Sequence, residues 1–165
     1  MPSPDLSNWK ELTEGQRGRV CIEQKLTQAF ITKHWKDLTE LQRNYVCLYQ
    51  KLTQTYIEEN WNDLTGDQRY YVCLNQKLTQ AFITKHWHDL TEDQRDWICI
   101  YQKLTRAFIT KHWKELTGYQ RNNVYYYQKL TLSFKEQLIN GNIPKVQKFI
   151  PTKTTRYIDM NFEEF

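Results

Sequence analysis

Four cysteines, Cys21, Cys47, Cys73 and Cys99, recur every 26 residues, and Tyr125 takes the same place one interval later. A structural zinc site needs thiolates or imidazoles at short paired spacing, such as C-x-x-C, and no such pair is present. If successive helices run antiparallel, these cysteines lie near opposite ends of their neighbours. That is beyond the ~7 Å Cα separation a disulfide tolerates, so free thiols in a reducing compartment are expected. His34, His86 and His112 share a second slot, where an imidazolium at a helix end would complement the dipole. Asn60 replaces them on the approach to the third unit, so no chemistry common to all copies depends on the ring, and His88 is extra. No histidine stands within a turn of a Ser or Cys nucleophile, and there are no paired carboxylates on one helix face and no Gly-rich phosphate loop. The expectation is a chain that binds without catalysing, with no cofactor and no metal.

Three polar positions are invariant across the copies. They are the Arg of Q-R (Arg17, Arg43, Arg69, Arg95, Arg121), the Lys of Q-K (Lys25, Lys51, Lys77, Lys103, Lys129) and the Gln before it (Gln24, Gln50, Gln76, Gln102, Gln128). On a helical wheel of the fourth copy, Arg95, Gln102, Lys103 and Arg106 point away from the apolar arc. Neighbouring positions drift freely, as Gly15, Leu41, Asp67, Asp93 and Tyr119 do in one slot. The functional reading is a ladder of cations and amides gripping a polyanion or an acidic protein surface. The candidate ligand residues are therefore Arg43, Arg69, Arg95, Arg121, Lys51, Lys77, Lys103, Lys129, Gln50, Gln76 and Gln102. Two structural alternatives stand beside it: ion pairs with Asp37, Asp63, Asp89 and Glu115, or duplication that has left copies alike for no physical reason.

The elements that must carry these positions follow from the period. Trp9, Trp35, Trp61, Trp87 and Trp113 open five units of the form W-x-[DE]-L-T-x-x-Q-R-x-x-[VI]-[CY]-x-x-Q-K-L-T. The fifth unit degenerates after Thr131, as the end of an array does. Within each unit Thr13, Thr39, Thr65, Thr91 or Thr117 precedes Gln16, Gln42, Gln68, Gln94 or Gln120 by three residues, which is a capping box. Trp97, Ile100, Tyr101, Leu104 and Phe108 recur at helical spacing, widened by Ile98 and Ile109, so one broad apolar face is expected. One long helix per unit and two shorter ones broken at Leu-Thr both fit; the long helix is preferred because nothing at Leu-Thr forbids continuation. The short Trp-x-acid-Leu-Thr link makes successive helices antiparallel or sharply crossed neighbours. The predicted fold is all-α: a tandem array of five 26-residue helical repeats over 9–142, preceded by an extension (1–8) and followed by an irregular tail (143–165). The tail carries Phe149, Tyr157, Phe162 and Phe165 and is expected to strap back onto the array, a linear docking motif being the alternative.

The segment Trp61-Asn-Asp-Leu-Thr-Gly-Asp-Gln-Arg-Tyr-Tyr-Val resembles the junction of helices two and three in HMG-box DNA-binding domains, W-x-x-L-[ST]-x-x-[EQ]-[KR]-x-x-[YFV]. The likeness recurs in all five units and covers about twelve residues of each. It implies a core Trp, a Thr-capped helix and DNA as a partner. HMG boxes make most of their DNA contact through an N-terminal strand, a first helix and an apolar wedge, none of which has a counterpart here.

Composition sets outer limits. The chain of 165 residues has 25% charged and 39% hydrophobic residues and a net charge of +4, which permits a nucleic-acid partner without requiring one. Aromatic residues make up 15% of it, too many for a disordered chain. The N-terminus lacks the basic and apolar regions of a secretory signal, and no stretch is apolar enough to span a membrane. An intracellular address, nuclear or cytoplasmic, is expected. Nucleic acid is slightly favoured as ligand over a protein partner, and the oligomeric state is open.

Overall fold

The computed structural model describes residues 6–140. Those residues form an all-α array in which each of the first four repeats contributes a ten-residue helix, a seven-residue helix and a 3₁₀ turn at the Trp, while the fifth has a plain turn at Trp113 and a nine-residue second helix. The first helices are α1 (Glu14–Glu23), α3 (Glu40–Tyr49), α5 (Gly66–Asn75), α7 (Glu92–Tyr101) and α9 (Gly118–Tyr127). The second helices are α2 (Gln28–His34), α4 (Gln54–Asn60), α6 (Gln80–His86) and α8 (Arg106–His112), with α10 (Leu132–Asn140) ending the described array. The expected strap of the tail lies outside the described residues.

All five expected capping boxes form. In each, the Thr hydroxyl accepts from the amide three residues on while the Gln side chain accepts from the Thr amide. The preference for one long helix is overturned. Each first helix stops at its Gln, whose backbone is extended (Gln76 has φ −89°, ψ 148°), and a second Thr begins a new helix three residues later. Thr27, Thr53, Thr79 and Thr105 accept from the amides of Phe30, Tyr56, Phe82 and Phe108. The chain therefore uses Thr as an N-cap twice per repeat.

First helices pack side by side: α1 on α3, α3 on α5, α5 on α7 and α7 on α9. They run parallel, because hydrogen bonds tie N-terminal end to N-terminal end (Gln42 to Glu14) and C-terminal end to C-terminal end (Gln50 to Cys21). This corrects the antiparallel placement of the cysteines. Cys21, Cys47, Cys73 and Cys99 all fall in the one buried layer between first helices, beside Val20, Val46, Val72 and Ile98. They are free thiols, as expected. Burial pushes Cys21 up to about 11 and Cys47 and Cys73 up to about 12.

The second helix of each repeat folds back over its own Trp. Phe82 meets the Trp61 indole edge-on at 4.9 Å and His86 lies 5.5 Å from it; Trp87 stands in the same way to Phe108 and His112. Trp61, Trp87, Phe82, Ile83 and Ile109 are almost wholly removed from water. At roughly 1.5–3 kcal/mol for each large apolar side chain buried, this layer and the Val/Cys layer supply the main drive for stacking. No helix among the described residues is long and apolar enough to cross a membrane.

Candidate functional site

The invariant glutamines face the packing, not the ligand. Gln50, Gln76, Gln102 and Gln128 are buried, which corrects their assignment to an outer face. Each uses its whole amide between repeats. The Gln76 carbonyl accepts from the Leu52 amide at 2.9 Å, and its NH₂ donates to the Cys47 and Gln50 carbonyls at 2.8 and 2.7 Å. Gln50, Gln102 and Gln128 repeat this pattern on Leu26, Leu78 and Leu104 and on the carbonyls of Cys21, Cys73 and Cys99. The groups so satisfied are those that the break between first and second helices leaves open. A primary amide is the one side chain that presents an acceptor and two donors at a single carbon, so neither Glu nor Lys can substitute.

Two further glutamine ladders run alongside. Capping-box residues Gln42, Gln94 and Gln120 donate to the carbonyls of Glu14, Gly66 and Glu92 in the preceding repeat. On the second helices, the carbonyl oxygens of Gln28, Gln54 and Gln80 accept from the amides of Thr53, Thr79 and Thr105.

The arginines are also structural. The Arg95 Nε donates to the Trp87 carbonyl at 3.0 Å and its Nη2 to the His88 carbonyl at 3.3 Å. Its guanidinium sits 5.3 Å from the centre of the Trp87 ring. Arg43 and Arg69 do the same at Trp35 and Trp61, and Arg121 makes both hydrogen bonds at Trp113 and Lys114. Every copy fastens the turn at its Trp, 3₁₀ in all but the fifth repeat, to the helix that follows it. Each guanidinium is half-buried, with two of its five N–H donors engaged by the scaffold, so Arg43, Arg69, Arg95 and Arg121 lie against the turn and not fully on an outer face. The ion-pair alternative fails too. Asp37, Asp89 and Glu115 instead face the histidines of the second helices, His34, His86 and His112, at 3.4, 3.8 and 3.0 Å.

The lysines remain exposed. Lys51, Lys77, Lys103 and Lys129 lie in the links just past the C-terminal ends of the first helices. Beside them stand the tyrosines that close those helices: Tyr49, Tyr101 and Tyr127 are 40%, 42% and 56% exposed. Tyr101, expected on the apolar face, instead closes the helix at its exposed end, and of the helix's apolar residues Ile98 and Cys99 are the buried ones. Trp97 stacks on Tyr101 with ring centres 5.8 Å apart, Tyr70 meets Trp97 edge-on at 5.7 Å, and Tyr45 lies against Tyr49. A cleft of about 320 Å³ opens between the third and fourth repeats, lined by Leu74, Asn75, Lys77, Leu78, Tyr101 and Lys103 among others. The repeat pattern marks its lysines but not its tyrosines, because an aromatic at helical spacing reads as core.

This edge carries the C-terminal ends of parallel helices, whose partial negative charge the lysines offset. The opposite edge carries the N-terminal ends, already occupied by Glu14, Glu40, Asp67, Glu92 and Asp93. Compared with known protein families, with curated proteins and with solved structures, the chain matches none.

Proposed function

We propose that the chain is a non-catalytic binding module that recognises a protein segment along the tyrosine and lysine edge of its first helices. One observation carries this reading: Tyr49, Tyr101 and Tyr127 stand exposed in register beside exposed lysines, while the glutamine row is buried and the arginine row is half-buried against the Trp turns. Tyrosine offers a large, rigid apolar face with a polar tip at little entropic cost, which is why it is enriched at protein interfaces. The rings here lean on one another (Trp97 on Tyr101, Tyr45 on Tyr49), which favours contact with side chains over insertion between bases. A nucleic-acid ligand is the second reading, supported by the lysine row and by the HMG-like segment. One cation per repeat, set over helix C-termini, is a thin grip for a polyanion.

Affinity capture with the full chain separates the two readings. A protein ligand survives nuclease and high salt and is lost in a Tyr101→Ala/Trp97→Ala variant that keeps its helical content. Capture that disappears on nuclease treatment, together with oligonucleotide binding that falls steeply with salt, would hand the assignment to nucleic acid.

A further inference from the structure

We propose that His88, His112 and Glu115 form a site for a divalent transition-metal ion, of the zinc class, at the junction of the fourth and fifth repeats. Donor atoms of the three residues lie within 4.8 Å of one another. A tetrahedral shell on Zn–N and Zn–O bonds of ~2.1 Å sets donors about 3.4 Å apart, so small rotations of exposed side chains close the remaining gap.

A histidine facing an acid three residues on is a feature of the scaffold, present also at His34–Asp37 and His86–Asp89. What distinguishes this junction is the third donor. The residue after the Trp is Lys10, Lys36, Asn62 or Lys114 in the other repeats and an imidazole only at His88. The acid slot also differs: Glu115 replaces the Asp of the three preceding repeats, and its longer arm makes the closest approach of the three pairs, 3.0 Å to the His112 Nδ1.

The donors are held to different degrees. His112 is 1% exposed, packed 4.4 Å from Phe108 and 5.5 Å from Trp87, so its ring direction is set by the core. His88 is exposed at the side chain, but its backbone is anchored where its carbonyl accepts from Arg95. Its ring centre lies 5.8 Å from that of His112. The fixed ring provides the floor of the site, and His88 and Glu115 close over it from solvent. Two imidazoles and one carboxylate suit zinc-class ions; Ca²⁺ and Mg²⁺ require shells of oxygen. Three protein donors leave the remaining positions to water.

Co²⁺ titration of the chelator-treated full chain, followed by its visible d–d bands and reversed by Zn²⁺, tests the site. The expected result is saturation at one equivalent with no thiolate charge-transfer band. His88→Lys, the residue of this slot in the first, second and fifth repeats, should weaken binding by more than the ~10–100-fold that loss of an outer-shell partner costs. Glu115→Gln should weaken it as well, with helical content unchanged in both variants. No saturable spectrum, unaltered affinity in His88→Lys, or a thiolate band reporting a cysteine ligand would each overturn the assignment.

Discussion

Asp96 shows how one slot of the repeat responds to its neighbours. It follows the fourth-repeat Arg, where the other units carry Gly18, Asn44, Tyr70 and Asn122. One of its oxygens is buried with no hydrogen-bond partner, and burial, with Glu92 and Asp93 adding to it, pushes the carboxyl up to about 6. Between the ordinary Asp value of ~4 and about 6, the folded chain holds a proton that the unfolded chain has released. Stability contributed by the protonated form is complete below that window and is lost as pH rises through it. Asp96→Asn, the side chain the second and fifth repeats already use, should flatten the fall in unfolding free energy between pH 4 and 6 and raise stability at pH 7. Chemical denaturation across that range checks this; an unchanged slope would assign the pH dependence elsewhere. At the same scale, the roles of Arg95 and Gln102 were not legible from the sequence. A helical wheel assumes an unbroken helix, and on one both residues turn outward. Because the helix ends at Tyr101, Gln102 turns into the interface; Arg95, in the first turn, reaches back along its own chain to the Trp87 turn.

At the scale of elements, the five first-helix N-caps were legible because a capping box is a local device, closed within four residues. The break after each first helix was not. Its open amide at Leu78 is satisfied by Gln102, 24 residues further along, and no local signal reports a partner at that distance. The 3₁₀ turn depends similarly on the Arg of its own repeat. Replacing Arg95 with Ala removes two charge-assisted hydrogen bonds to carbonyls and the guanidinium face over Trp87. The expected loss is about 1–3 kcal/mol of unfolding free energy with ligand affinity unaffected. Lowered ligand affinity at full stability would return Arg95 to the binding surface.

At the scale of the whole molecule, the array is held by two kinds of translation-related contact, the Val/Cys layer between parallel first helices and the glutamine ladders along it. The 26-residue period made the repeat architecture plain, since a unit this small cannot bury its apolar face alone. Which invariant residues stay free for a ligand was not plain, because repetition conserves scaffold and site alike within one chain. Gln76 and Lys77 pose that question most sharply: they adjoin in sequence, both are identical in all five units, and the structure gives them opposite surroundings. The most direct test is the unfolding free energy of Gln76→Ala beside that of Lys77→Ala, measured by denaturant titration. Gln76→Ala strands the buried Leu52 amide and two carbonyls and should lose about 2–4 kcal/mol, while Lys77→Ala should stay within about 0.5 kcal/mol of the parent. Equal and small losses at both positions would contradict the account of the glutamines as the rungs that join the repeats.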